Sequence, residues 1–178
     1  MTRPSLFRIA LLVALGAAVP FAPACSSDAA PAAQASIADV LREGDVNETQ
    51  LRAVLANEAE DWAWAGGQFD TPEGGATLAA SAPYEFTWHA DSTEPADGGA
   101  PSDTQMVHLL VFSSPSHGTL LRLFTTLDSY TPDADTWQQL VAAGEPVTLS
   151  LTSATFAGDE LTVDGGPYVG QELTFSIE

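Results

Sequence analysis

The chain contains no lysine and only five arginines against 24 acidic residues, giving a formal net charge of −19 over 178 residues. That imbalance removes whole classes of partner. Proteins that hold nucleic acid neutralise phosphates with clustered Lys and Arg, and anionic lipid surfaces attract the same residues. A few scattered arginines serve neither. Cysteine is nearly missing too: Cys25 stands alone, so no disulfide can form within the chain and stability has to come from packing. Long apolar runs are also lacking. The run at residues 9–19 falls short of the roughly 20 residues that a spanning helix requires. In its simplest reading the surplus of acid keeps a protein soluble in a saline or exposed setting. Divalent cations, basic partners and neutral glycans stay open as ligands.

The short apolar run sits where an export signal would carry it. Arg3 and Arg8 precede it and Ala22-Pro23-Ala24 follows, the order of charge, apolar core and small residues that marks a secretory signal peptide. Cleavage after Ala24 would leave Cys25 at a new N-terminus. Ala22-Pro23-Ala24-Cys25 resembles the lipobox of bacterial lipoproteins, with Ala22 where that family favours Leu and with an unusual Pro23. The resemblance implies a lipidated Cys25 that anchors the protein in a membrane. Ser26 in place of Asp after the cysteine implies an outer-membrane lipoprotein, facing periplasm or cell surface. The same tripeptide is an A-x-A site for ordinary signal peptidase, which would leave Cys25 unmodified. Residues 26–36, rich in Ala, Ser and Pro, read as a flexible tether. The expected organisation is a signal at 1–24, a lipidated N-terminus and tether at 25–36, a helical lead-in at 37–61 and a β domain at 62–178.

Within the lead-in, Asn47 suits an N-cap, Glu48 a first turn, and Leu51, Val54 and Leu55 form an apolar stripe. From Trp62 the period changes to two. Trp62 and Trp64 alternate with Ala63 and Ala65. Tyr84, Phe86 and Trp88 share a face opposite Glu85, Thr87 and His89. Val147, Leu149 and Leu151 alternate with Thr148, Ser150 and Thr152. The near-continuous apolar stretch 106–112 predicts a central strand buried on both sides. Residues 120–126, then Leu161 and Val163, then Leu173, Phe175 and Ile177 supply the remaining strands, with glycine-bearing turns between them. Thr131-Pro132-Asp133 predicts one late helix, with Trp137, Leu140 and Val141 as its apolar stripe and Gly144 and Pro146 at its end. About seven short strands at this spacing predict an all-β sandwich or barrel.

Gly74-Gly75-Ala76-Thr77-Leu78 followed by Pro83-Tyr84-Glu85-Phe86-Thr87-Trp88 resembles the opening of bacterial fibronectin type III and immunoglobulin-like modules. The likeness spans roughly residues 69–177. It implies a β-sandwich whose second strand carries a core Trp, with one added late helix. It also implies a spacer or binding platform without catalytic residues.

Chemistry-bearing residues are few. His89, His108 and His117 lack the tight local spacing that zinc ligands show. Ser116-His117-Gly118 reads as a turn between strands, since a working Ser–His pair meets across space. Glu58, Glu60 and Asp61 before Trp62 invite a glycosidase-like reading, but a solvated helix end followed by a strand explains them more simply. The acidic loop over 91–103, with Asp91, Glu94, Asp97 and Asp103, offers hard oxygen ligands for calcium, although no Asp-x-Asp-x-Asp-Gly pattern appears. Exposed tryptophans are the other handle, and Trp62 and Trp64 are the pair to bind a ligand. The function these features imply is a non-catalytic envelope module meeting another envelope protein or a glycan. A calcium-dependent binding domain comes next, and a small envelope hydrolase after it.

Overall fold

The computed structural model describes residues 37–90 and 103–178. A 3-10 turn (Ile37–Asp39) leads into β1 (Val40–Glu43), α1 (Glu48–Ala56), β2 (Glu60–Asp61), a single helical turn α2 (Ala63–Gly66), β3 (Gln68–Thr71), β4 (Thr77–Leu78) and β5 (Phe86–His89). Beyond residue 102 come β6 (Thr104–Ser114), β7 (Gly118–Thr125), β8 (Ser129–Tyr130), α3 (Ala134–Ala142), β9 (Val147–Ala157), β10 (Glu160–Leu161) and β11 (Tyr168–Ile177). The main sheet runs β1-β7-β6-β9-β11-β2, with β10 on β9 and β4 on β11, and a smaller sheet runs β3-β5-β8. Among the described residues no helix is long and apolar enough to cross a membrane.

Period-two alternation sorts side chains between two cores. On the front of the main sheet, Leu110 and Phe112 of β6, Leu123 of β7, Val147, Leu149 and Leu151 of β9 and Phe175 of β11 meet Phe86, Trp88 and Tyr130 of the small sheet, with Trp137 and Leu140 of α3. Phe86 touches Phe112 edge-on at 5.2 Å and Phe175 at 5.4 Å. The expected all-β, sandwich-like class is therefore present, with Phe86, Leu149 and Phe175 inside. On the back, Val107 and Leu109 of β6, Phe124 of β7 and Ala154 and Phe156 of β9 receive Leu51 and Val54 of α1. β6 is thus buried on both faces, as its unbroken apolar run predicts.

α1 begins as the sequence suggests. The Asn47 side chain accepts from the Gln50 N–H while Gln50 reaches back to the Asn47 N–H, a reciprocal capping box. The chain from Glu43 to Glu60 also carries the polypeptide from one edge of the main sheet, β1, to the other, β2.

Four expectations change. The lead-in is not only helical: β1 pairs in parallel with β7 (Val40↔Arg122) and β2 with β11 (Glu60↔Tyr168). Each of these strands is too short to show a period. The residues from Trp62 to Ala65 do not alternate along a strand, because residues 63–66 close a helical turn ahead of Gly67, whose φ of +95° redirects the chain. The late helix starts at Ala134 with Asp133 as its cap, not at Pro132, because the Asp133 carboxylate accepts from the Thr136 N–H at 2.7 Å. Val163 lies outside any strand and is exposed.

Candidate functional site

At the β2 edge the sequence places an indole on a turn that cannot easily move. Glu60 and Asp61 pair with Tyr168 and Val169, and the Glu60 N–H donates to the Pro167 carbonyl at 2.9 Å. The chain then leaves β11 and coils once, with the Gly66 N–H bonded to the Trp62 carbonyl at 2.9 Å. Gly66 lies directly on the main chain of Val169 and Gly170, so close that a Cβ on either glycine would overlap the opposite backbone. Two further bonds pin the turn. Ser153 Oγ donates to the Gly66 carbonyl at 2.7 Å, and the Gln171 N–H donates to the Gly67 carbonyl at 2.9 Å. Trp62 rides on this turn with 47% of its surface open. Its ring stands edge to face with Tyr168, centroids 5.2 Å apart at 79°, and the Tyr168 hydroxyl donates to the Asp164 carbonyl at 2.6 Å. An aromatic surface held this way loses little conformational freedom on meeting a partner.

Among the described residues, charge around Trp62 has one sign. Glu58, Glu60 and Asp61 precede it in an exposed stretch, and Asp164 is exposed nearby on the loop that Tyr168 holds. Burial first, then the Asp164 and Glu60 carboxylates, push the Tyr168 hydroxyl above its ordinary pKa. The described arginines sit elsewhere. Arg42 is in β1 and Arg122 in β7, at the opposite side of the main sheet, which at strand spacing puts β7 roughly 19 Å from β2. Arg52, on α1, is paired with Glu48 at 2.6 Å.

The three histidines each sit in a small polar cluster. His108 is 1% exposed and its Nδ1 lies 2.8 Å from Ser153 Oγ. Because Ser153 spends its own hydrogen on the Gly66 carbonyl, the imidazole must give its Nδ1 hydrogen to the hydroxyl. That is the reverse of the transfer that activates a nucleophile. Burial holds His108 down to a pKa of about 4, opposed by the Asp128 carboxylate 3.6 Å from Nε2. The second cluster is on the β6–β7 turn. Glu145 accepts from the Ser116 N–H at 2.9 Å and Ser116 Oγ at 3.0 Å, and lies 3.1 Å from His117 Nδ1. Its pKa falls to about 2, with the Ser116 N–H as the largest cause and the Ser114 hydroxyl next. The same His117 nitrogen also faces Ser114 Oγ at 3.4 Å, so no relay runs from one ring nitrogen to the other. The third is an exposed pair, His89 Nδ1 to Asp70 at 2.8 Å.

Of the residues singled out in the sequence, Trp62 is at the surface as a binding role requires. The side chain of Trp64 lies outside the described residues, as do Cys25, Asp91, Glu94 and Asp97. Asp103 is exposed just before β6, and among the described residues no three His, Cys, Asp or Glu side chains gather to hold a metal. Sequence reading missed Tyr168, Gly170 and Ser153, which position Trp62. A groove of about 220 Å3 lined by Asp39 and residues 119–122 lies at the far sheet edge, beside a bulge in β7 near Leu120, and bulges of this kind discourage strand addition. No family model, curated protein or solved structure matches the chain.

Proposed function

We propose that this protein is a non-catalytic, exported binding module, anchored by lipid on Cys25 to the outer membrane and meeting its ligand at Trp62. The observation that carries the reading is the exposed indole on a turn fixed by the Gly66–Gly170 backbone contact and by the Ser153 hydroxyl. Exposed aromatic residues on rigid supports recur where proteins bind partners or sugars, since a ring offers large contact area with few torsions to freeze. The likeness to fibronectin type III and immunoglobulin-like modules fits the same role. It is supported by Phe86 and Trp88 packed between two sheets, whereas the parallel pairings of β1, β2 and β4 are additions to the plain module.

The test is a fluorescence titration of the purified protein with neutral oligosaccharides and with peptides, run beside Trp62→Ala. A ligand that perturbs the emission of the parent and not of the variant supports the platform. Equal responses from both proteins remove it. The anchor is checked separately: Cys25→Ala should move the protein from the membrane to the soluble fraction.

A further inference from the structure

We infer that the Trp62 edge is built to receive a cationic side chain, the arginine or lysine of a basic segment on a partner polypeptide. The inference rests on the Trp62 platform and goes beyond it by naming the ligand chemistry.

An open indole face attracts a cation through its ring quadrupole, and the attraction grows when carboxylates share the cation's surroundings. Both conditions meet here. Trp62 is half open and is braced by Tyr168. Exposed Glu58, Glu60 and Asp61 run up to it along the chain. Charge complementarity then selects among occupants. A neutral glycan gains from the ring but nothing from the surrounding charge. A second copy brings the same net charge of −19 and is repelled. An acidic peptide or an anionic lipid meets the same barrier. The protein's own described arginines cannot fill the place: Arg52 is held by Glu48, and Arg42 and Arg122 belong to the strands at the opposite sheet edge. A basic segment gains from the ring and from the carboxylates together.

The experiment titrates the full chain with three short peptides of alternating Gly and a second residue, which is Arg, citrulline (its uncharged isostere) or Glu. A neutral chito-oligosaccharide forms the fourth arm, and tryptophan emission is the readout. The arginine peptide should bind about tenfold more tightly than the citrulline peptide, the glutamate peptide should not bind, and Trp62→Ala should weaken arginine binding by about fivefold or more. The double variant Glu60→Gln, Asp61→Asn should weaken the arginine peptide by about threefold, with circular dichroism unchanged. If the oligosaccharide responds in a Trp62-dependent way and the arginine peptide does not, the cationic assignment falls and the platform stands. If the arginine peptide binds Trp62→Ala as well as the parent, only diffuse charge is at work and the assignment falls as well. If no probe depends on Trp62, the platform reading fails with it.

Discussion

His108 Nδ1 donates its hydrogen to Ser153 Oγ across 2.8 Å, and Ser153 passes its own to the Gly66 carbonyl at 2.7 Å. A strand in the middle of the main sheet is thereby linked through a second strand to the turn that carries Trp62. Because Trp88 stands edge-on to the imidazole, centroids 5.9 Å apart, the small sheet leans on the same group.

Acid should loosen the fold through His108. Its folded-state pKa, about 4, lies below the 6.5 of an unburied histidine, so between those values the unfolded chain binds more protons. Stability is retained above pH 6.5 and declines as the pH falls towards 4. The loss is about 2 kcal/mol by pH 5 and about 3 kcal/mol in full. Urea unfolding of the parent and of His108→Gln from pH 7 to 5 checks this. Parallel curves would show that another group governs the slope.

The Glu145 carboxylate should hold the β6–β7 turn in place above the ordinary carboxylate range and release it as the pH drops towards 2. Its pKa is lowered by the Ser116 N–H and the neighbouring hydroxyls, so the folded state favours the ionised form. In Glu145→Gln the Ser116 amide should exchange with deuterium faster than in the parent at pH 7. Near pH 2 the two proteins should converge. Unchanged exchange at pH 7 would mean the turn holds itself.

Adding a methyl group between the Trp62 turn and β11 should both destabilise the protein and unseat the indole. In Gly170→Ala the new Cβ falls on the Gly66 carbonyl, an overpacking that costs about 1–3 kcal/mol. Thermal unfolding gives the first effect. The second appears as weaker ligand binding at temperatures where circular dichroism still shows folded protein. Ligand binding that survives intact would detach the platform from its support.

Phe86, in the small sheet, is fully buried and touches Phe112 and Phe175 of the main sheet, so truncating it tests whether the two sheets share a core. Phe86→Ala should cost about 3–5 kcal/mol, measured as the shift in urea midpoint at constant slope. A loss below 1 kcal/mol would mean the two sheets do not share this core.

Much of this architecture is legible in the residues. Val147, Leu149 and Leu151 lie buried opposite half-exposed Thr148, Ser150 and Thr152, because a long strand with one solvated face repeats its alternation often enough to read. Asn47 caps α1 for local reasons that need no tertiary knowledge. What escaped was set by distant partners. Two-residue strands such as Glu60–Asp61 exist only because β11 offers its edge, and no period survives in so short a piece. Trp62 is exposed, yet its apparent alternation with Trp64 suggested a strand. The glycines that let this turn lie against β11, Gly66 and Gly170, are far apart in sequence and meet only in the fold. Nothing in the sequence marks Ser153, and His108 shows only that it lacks the spacing of a zinc ligand. That one supplies the other's acceptor follows from their register, His108 opposite Ser153.

The stretch from Glu43 to Glu60 ties the two outermost strands of the main sheet together, although the strands between them are all encoded later. Neither rim can dock until its neighbour has been made: β7 for one, and β11, the last strand, for the other. The β2 rim therefore closes only when the last strand arrives, and such long-range pairings form slowly.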